Sequence, residues 1–442
     1  MNNPLDREFG FWSLFRFSLP TIVMMVFMSL YTIVDGIFIS RFVGSNALSA
    51  VNIVFPLISV TIGLGVMLAT GGSAIAARKM GEGEEEAACR DFTFLTLVGV
   101  GVGFLFSLLG LFFSAPLSRL LGSSDLLLAD CVDYLRIMLL FAPASILQLL
   151  FQCFFVTAGR PNLGLGLTVA SGVANAVLDY VFIVPLDLGV AGAALATASG
   201  YLVTAGAGLF FFSVKKTGLR FRPARWDGRT LLQACGNGSS EMVTNLSNAV
   251  VTFLFNLLML RFLGEDGVAA ITIVLYAQFL LTALYMGFSM GVAPIVSFNH
   301  GAGNELRLRR TFRHCLAFLA FSSVLVFGTA MALSSFLVGI FSPPGTGVYD
   351  LALAGFRLFA PSYLFAGLNI FASSFFTALS DGLTSAIVSF ARTFGFLLVG
   401  LLLLPMFLAV DGVWLAVPFA EALCCLLSAW FLVSKRKRYR YA

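Results

Sequence analysis

The chain has 442 residues, of which 59% are hydrophobic and only 11% charged, and its mean hydropathy is +0.95. Soluble domains carry roughly 25% charged residues, so this composition excludes a soluble globular protein and requires lipid as the solvent. The formal net charge of +5 is modest, and the distribution of the bases gives no reason to expect nucleic acid as a partner.

Apolar segments of about 20 residues, long enough to cross a hydrocarbon layer of roughly 30 Å, recur along the whole chain. In order they fall near 15–38, 47–70, 92–114, 131–157, 163–183 and 191–213, then near 235–260, 267–292, 312–338, 350–378, 384–406 and 412–433. An all-α polytopic membrane protein with twelve transmembrane helices is therefore expected. The spans around Ala142-Pro143 and Ala360-Pro361 are expected to kink, since proline removes a helical hydrogen bond and clashes with the preceding turn. The first ten residues carry Asp6, Arg7 and Glu8 and lack the basic leader and short apolar core of a secretory signal, so they are expected to be retained. Seven scattered cysteines, odd in number and without metal-ligand spacing, predict no disulfide framework.

Short cytoplasmic loops collect Lys and Arg. With the N-terminus inside, the inner connections hold Arg78, Lys79, Arg90, Arg160, the segment Lys215 to Arg229, the Arg307 to Arg313 cluster and the tail Lys435 to Arg440. The outer connections hold Arg41, Arg119 and Arg261, with Arg136 and Arg357 near outer helix ends. Both termini are expected in the cytoplasm. The basic tail could touch acidic headgroups of membrane lipids, but it reads best as a topology signal, with Tyr439 and Tyr441 flanking the membrane surface.

An offset of 220 residues aligns the chain with itself. Arg41-Phe42-Val43-Gly44 falls on Arg261-Phe262-Leu263-Gly264, Gly71 on Gly291, Gly81-Glu82-Gly83 on Gly301-Ala302-Gly303, Thr157-Ala158 on Thr377-Ala378, and Gly192 on Gly412. An even number of spans per half gives both halves the same orientation, a parallel repeat around a central cavity. The expected division is an N-terminal six-helix lobe at 1–214, a basic cytoplasmic linker at 215–234, a C-terminal six-helix lobe at 235–434 and a basic tail at 435–442.

Several motifs at this point resemble the multidrug and toxic compound extrusion (MATE) family. They are Asp35-Gly36-Ile37-Phe38 with Arg41-Phe42-Val43-Gly44, Met80-Gly81-Glu82-Gly83, Ala158-Gly159-Arg160-Pro161-Asn162, Asn175-Ala176-Val177-Leu178-Asp179, and Ile295-Val296-Ser297-Phe298-Asn299-His300-Gly301. The resemblance runs from Pro20 to Glu421 and is nearest to the bacterial MepA-type branch. It implies a monomeric secondary antiporter of the bacterial plasma membrane. Such a protein exports amphipathic, often cationic compounds against an inward flow of H⁺ or Na⁺, without a further cofactor.

An ionisable group at membrane depth costs roughly 2.5–3.5 kcal/mol on insertion scales and needs a partner or a role. Asp35 lies in span one. Asp179 follows Asn175 by four residues, on one helical face, and Thr197 in span six offers a hydroxyl. Burial penalises a bare carboxylate and a second one nearby adds repulsion, so either acid could load and release a proton. The same oxygens could instead hold a small hard cation. The family resemblance places the coupling-ion site, with a possible Na⁺, at Asp35, Asn175, Asp179 and Thr197. Pro20, which lacks a backbone donor, should weaken span one locally and act as a hinge when Asp35 changes charge, the alternative being a static kink. In the second half, Glu241, Asn245 and Asn248 share a face; together with Asn256 and Gln278 they are expected along the substrate cavity, Glu241 as counter-ion for a cation. The competing reading pairs Glu241 with the linker bases. Met286 and Met290, flexible thioethers one turn apart, suit a promiscuous pocket. Gln148 and Gln152 are placed on the cavity wall, the alternative being interhelical hydrogen bonds. Glu421 has no evident role, and Arg392 is expected to pair with it or with a backbone carbonyl.

An enzyme is not expected, because His300 and His314 fall outside the membrane interior and no phosphate-binding Gly-x-x-x-x-Gly-Lys loop is present. The alternative transporter is a lipid-linked precursor flippase of the same superfamily, whose cavity would be lined with Arg and Lys for phosphates.

Overall fold

The computed structural model describes residues 4–442. The side chains of Ile37, Ser40, Ser45 and Arg41, the last counted above among the outer bases, lie outside the description. The helices are α1 (Phe11–Phe38), α2 (Ser45–Gly81), α3 (Glu85–Leu120), α4 (Leu128–Leu140), α5 (Ala142–Thr157), α6 (Pro161–Ile183), α7 (Gly189–Val214), α8 (Gly228–Gly301), α9 (Glu305–Ala332), α10 (Ser334–Gly339), α11 (Gly347–Phe359), α12 (Tyr363–Ala378), α13 (Gly382–Phe390), α14 (Phe396–Ser434) and α15 (Arg436–Tyr439).

Among the described residues, nine helical stretches are long and apolar enough to span a membrane, and α4 with α5 forms a further span bent by 53°. Two of the nine stretches contain a reversal, α8 at Gly264 (φ 69°) and α14 at Ala409 (φ 49°). A straight helix as long as α8 would run for roughly 110 Å at 1.5 Å per residue, far beyond any bilayer. Its two ends instead return to one neighbour. A Cβ placed on Gly238, near its start, would lie 2.0 Å from the Met67 carbonyl oxygen, and one on Gly301, at its end, 2.1 Å from that of Arg78. Counting each reversal as two spans and the bent pair as one gives the twelve-helix, two-repeat architecture.

The bends fall where proline was expected to place them. The α4/α5 break is at Phe141, two residues before Pro143, and a single 3₁₀ turn at Ala360–Ser362 carries Pro361 between α11 and α12. The helices outrun their apolar stretches: α2 continues from the expected edge at 70 to Gly81, and α8 begins at Gly228. Polar residues beyond the hydrocarbon keep helical hydrogen bonds when the end is capped, as Asp227 does by accepting from the amides of Arg229 and Thr230 at 2.9 and 3.2 Å.

The repeat is also written in the turns. Gly44 and Gly264 both have positive φ, as do Gly83 and Gly303. Gly189 (φ 55°) corresponds at the same offset to Ala409 (φ 49°), where a Cβ is carried in a conformation that costs L-residues about 1 kcal/mol or more. Ala409→Gly is therefore expected to raise the melting temperature of the detergent-solubilised protein by a degree or two, corresponding to about 1 kcal/mol, with transport unchanged.

Each half closes by folding its last residues back onto its own third helix. Arg220 pairs with Glu85 (2.9 Å) and Phe221 stacks on Phe92 with ring centroids 5.0 Å apart. At the same offset Arg440 pairs with Glu305 (2.7 Å) and Tyr441 packs on Phe312 (4.8 Å). Tyr441 does not flank a surface, as the sequence suggested: it is completely buried and donates to the Leu432 carbonyl at 2.8 Å. Tyr441→Ala is expected to destabilise by about 3 kcal/mol and Tyr441→Phe by about 1 kcal/mol, a difference that thermal denaturation in detergent resolves.

The first and last described segments lie on one face of the bundle. Asp6 and Glu8 pair with Arg307 and Arg310 of α9 at 2.6 and 3.3 Å, and Arg309 donates to the Arg440 carbonyl. At this terminal face the two halves meet backbone to backbone. A Cβ on Gly81 would lie 2.1 Å from the Phe298 oxygen, and one on Gly301 2.1 Å from the Arg78 oxygen. Since 81 and 301, like 78 and 298, are repeat equivalents, the contact is reciprocal about the pseudo-two-fold axis. Gly71 on Ala234 is as tight, with a Cβ 2.0 Å from the carbonyl oxygen, whereas Gly63 would meet Met242 at an ordinary 3.6 Å and Gly36 only the Tyr276 hydroxyl at 4.0 Å. The halves diverge away from the terminal face. Consistently, one hydrophobic core joins both halves, while Ile39, Ala50, Val54, Tyr134, Leu135 and Val190 form a separate core in the far part of the N-terminal half.

Candidate functional site

The N-terminal site is assembled by α1, α4, α6 and α7. Asp35 stands on α1 and Asp179 on α6, close enough for the two carboxyl groups to interact. Asp179 and Asn175 are 2% and 4% exposed. Asn175 Nδ2 donates to Thr197 Oγ1 at 3.4 Å, and Ser171 Oγ donates to the Gly200 carbonyl at 2.6 Å, drawing α6 and α7 together. All four residues expected at the coupling-ion site are thus in one place. Tyr31 and Tyr134 lie within electrostatic reach of both acids, and Tyr201 of Asp35. Tyr31 lies one turn before Asp35 and Tyr201 one turn after Thr197, a spacing that could have drawn attention to them; Tyr134, on α4, carries no such local signal.

Neither acid has a basic partner among the described residues, and Oδ1 of each is buried without a hydrogen-bond donor. Two bare carboxylates at this range repel strongly in low dielectric. A set of carboxylate, amide and hydroxyl oxygens fits a shared proton or a small cation equally well.

Glu241, on the first span of α8, lies within electrostatic reach of Cys153 on α5 and of Arg392, which places it between the two halves. Two of the linker bases that were its alternative partners are engaged elsewhere: Arg220 pairs with Glu85 and Glu86, and Arg222 with Glu86. Asn245 is half-buried opposite Gly63, its Nδ2 donating to the Glu241 carbonyl at 2.9 Å. Asn248 is exposed, and Asn256 holds a buried Oδ1 without a donor. Gln278, Met286 and Met290 are half-buried, the methionines packing beside Gly287 and Gly291 where these touch α1.

Two further expectations concern Gln148 with Gln152, and Pro20. Gln148 and Gln152 are 5% and 3% exposed, inside the N-terminal half and not on an open wall. Gln152 Nε2 bonds Thr168 Oγ1 (3.3 Å) and Met28 Sδ (3.7 Å), because a buried amide must find partners across helices. Pro20 makes no visible break: α1 is continuous from Phe11 to Phe38, with Ser18 and Thr21 bonding back to the carbonyls of Leu14 and Ser18 and both packed on Gly291.

The C-terminal half also buries a network whose role its sequence left open. Arg392 Nε donates to Glu421 Oε1 at 2.8 Å, Asn369 Nδ2 to Glu421 Oε2 at 2.6 Å, and Ser428 Oγ to Asn369 Oδ1 at 2.9 Å. Ser373, Ser385, Ser389 and Thr377 form a hydroxyl cluster nearby on α12 and α13.

Residues 20–181 and 241–403 match the MatE family. The chain is 23% identical over 439 residues to the multidrug export protein MepA of Staphylococcus aureus, covering 97% of this chain and 94% of that protein. Against its namesake from Staphylococcus saprophyticus the identity is 24% over 452 residues, with 98% and 96% covered. A crystal structure of a MATE protein in complex with MaL6 superposes with a TM-score of 0.94 at 20% identity, covering 100% of this chain and 99% of that one. A chain with these two matched repeats on this twelve-helix frame belongs to the MatE family of membrane transporters.

Proposed function

We propose that the protein is a secondary active antiporter that exports amphipathic, often cationic compounds by alternating access, driven by inward flow of H⁺ or Na⁺. The carrying observation is the Asp35–Asp179 pair, with Asp179 buried and Asp35 half-buried, without a basic partner among the described residues and within reach of Asn175, Thr197 and three tyrosines. Such a pair changes charge when it gains or loses one proton or cation, and its helices α1 and α6 belong to the half that must rock against the other. Packing of the halves at the terminal face, with divergence beyond it, supports a cavity opening away from the termini. With the termini in the cytoplasm of a bacterial cell, that cavity opens outward in the plasma membrane. Glu241 supplies the negative charge for a cationic substrate, with Asn245, Asn256, Gln278, Met286 and Met290 along the same cavity. Names of the relatives, multidrug export proteins, support a broad substrate range. The protein works as a monomer, each chain holding both halves and a complete cavity.

Ethidium efflux from proteoliposomes under imposed H⁺ and Na⁺ gradients, applied separately, tests the reading. Export driven by one of them identifies the coupling ion. Absence of export under both would favour the flippase alternative, against which stands the engagement of Arg392, the base deepest in the C-terminal half, with Glu421.

A further inference from the structure

Arg392 lies in a π-helical turn, Ala391–Gly395, set between α13 and α14. Such a turn holds one residue too many for an α-helix, recurs at functional sites, and can redistribute its hydrogen bonds while side chains on it change direction. Arg392 touches Glu421 through Nε alone, at 2.8 Å, so its two Nη groups are not spent on that carboxylate. Glu421 is the fixed partner: its Oε2 and its own carbonyl both accept from Asn369 Nδ2, at 2.6 and 2.9 Å, and Ser428 secures Asn369. The second carboxylate within electrostatic reach of Arg392 is Glu241, which has no ion pair among the described residues. Arg392 and Glu421 side chains are 13% and 5% exposed, so a charge left alone here has little water to turn to.

We propose that Arg392 is an internal cation that transfers between Glu421 and Glu241, and that this transfer expels a cationic substrate from Glu241 when Glu421 takes up a proton. The inference rests on the reading of Glu241 as the substrate's counter-ion. While Glu421 is ionised it keeps Arg392, and Glu241 is free to pair with a cationic substrate. A proton arriving on Glu421 cancels that attraction, and the guanidinium moves to Glu241, the remaining carboxylate. One proton then enters as one monocation leaves, so the charge in the lobe is unchanged. The other titratable groups around Glu421 are Cys424 and Cys425 on its own helix and Tyr285 on the second span of α8; none is a cation that could replace Arg392.

The test is binding of ethidium, and of the uncharged dye Nile red, to the purified full-length protein by fluorescence at pH 7.5, with melting temperature recorded for every variant. Glu421→Gln mimics the protonated acid and is expected to weaken ethidium binding about tenfold, the scale of an ordinary coupling between sites, while leaving Nile red unchanged. Adding Arg392→Gln removes the competitor and restores ethidium binding to within about twofold of wild type. The double variant leaves Glu241 as it is in the wild type and removes both members of the Arg392–Glu421 pair, so no guanidinium is left without its carboxylate, and it also serves if Glu421→Gln alone fails to fold. Wild-type ethidium affinity in Glu421→Gln, or a double variant as weak as the single, would overturn the transfer. Glu241→Gln separates the two readings: unchanged ethidium binding in that variant defeats the counter-ion assignment, whereas weakened binding there with none in Glu421→Gln defeats the transfer alone.

Discussion

Asp179→Asn is expected to bind ethidium and to lose gradient-driven export by at least about tenfold. Asn keeps the size of the side chain and can donate a hydrogen bond to Asp35, so the variant resembles the loaded pair held permanently. Its melting temperature should not fall, since one of two facing acids is removed and no buried base is left without a partner. Asp35→Asn is expected to behave in the same way. Binding by fluorescence and efflux from proteoliposomes separate the two properties. Export by Asp179→Asn at the wild-type rate would show that the pair is structural.

Conformational bias gives the second large effect. The paired variant Gly81→Ala/Gly301→Ala is expected to open the terminal face and to reduce export about tenfold. Each added Cβ would stand 2.1 Å from a carbonyl oxygen of the opposite half, a distance backbone atoms cannot accept, and both contacts lie beside the pseudo-two-fold axis. Moving the halves apart relieves both together, so the state closed at this face loses population while the alternative does not. Spin labels at the exposed positions 90 and 313, one on each half, report the change as a longer distance. An unchanged distance distribution with wild-type export would mean that the helices shift locally to admit the methyl groups.

Much of the site's first layer was readable because helices are periodic. Asn175 and Asp179 share a face by their spacing, and Glu241 and Asn245 do likewise. What crosses between helices was not readable: that Asp35 on α1 meets Asp179 on α6, that Tyr134 on α4 joins them, or that Gln152 is occupied by Thr168 and Met28. The tail misled for the same reason. Its bases carry a topology signal, but Tyr441 is buried by Phe312 and Phe375, residues more than sixty positions away.

Composition and hydrophobic run length were enough for the twelve spans, because a bilayer demands about the same apolar length of every helix that crosses it. The 220-residue offset likewise disclosed the duplication, since repeated turns need the same residues at the same places. Tertiary packing alone chose which side chains face each other: the closure at Gly81 and Gly301, the meeting of Asp35 with Asp179 and the hold of Glu421 on Arg392 all depend on how separate helices rotate and approach. Lipid solvates an apolar helix about equally on every side, so hydrophobicity leaves that choice open, and close backbone contact and buried polar groups in need of partners settle it.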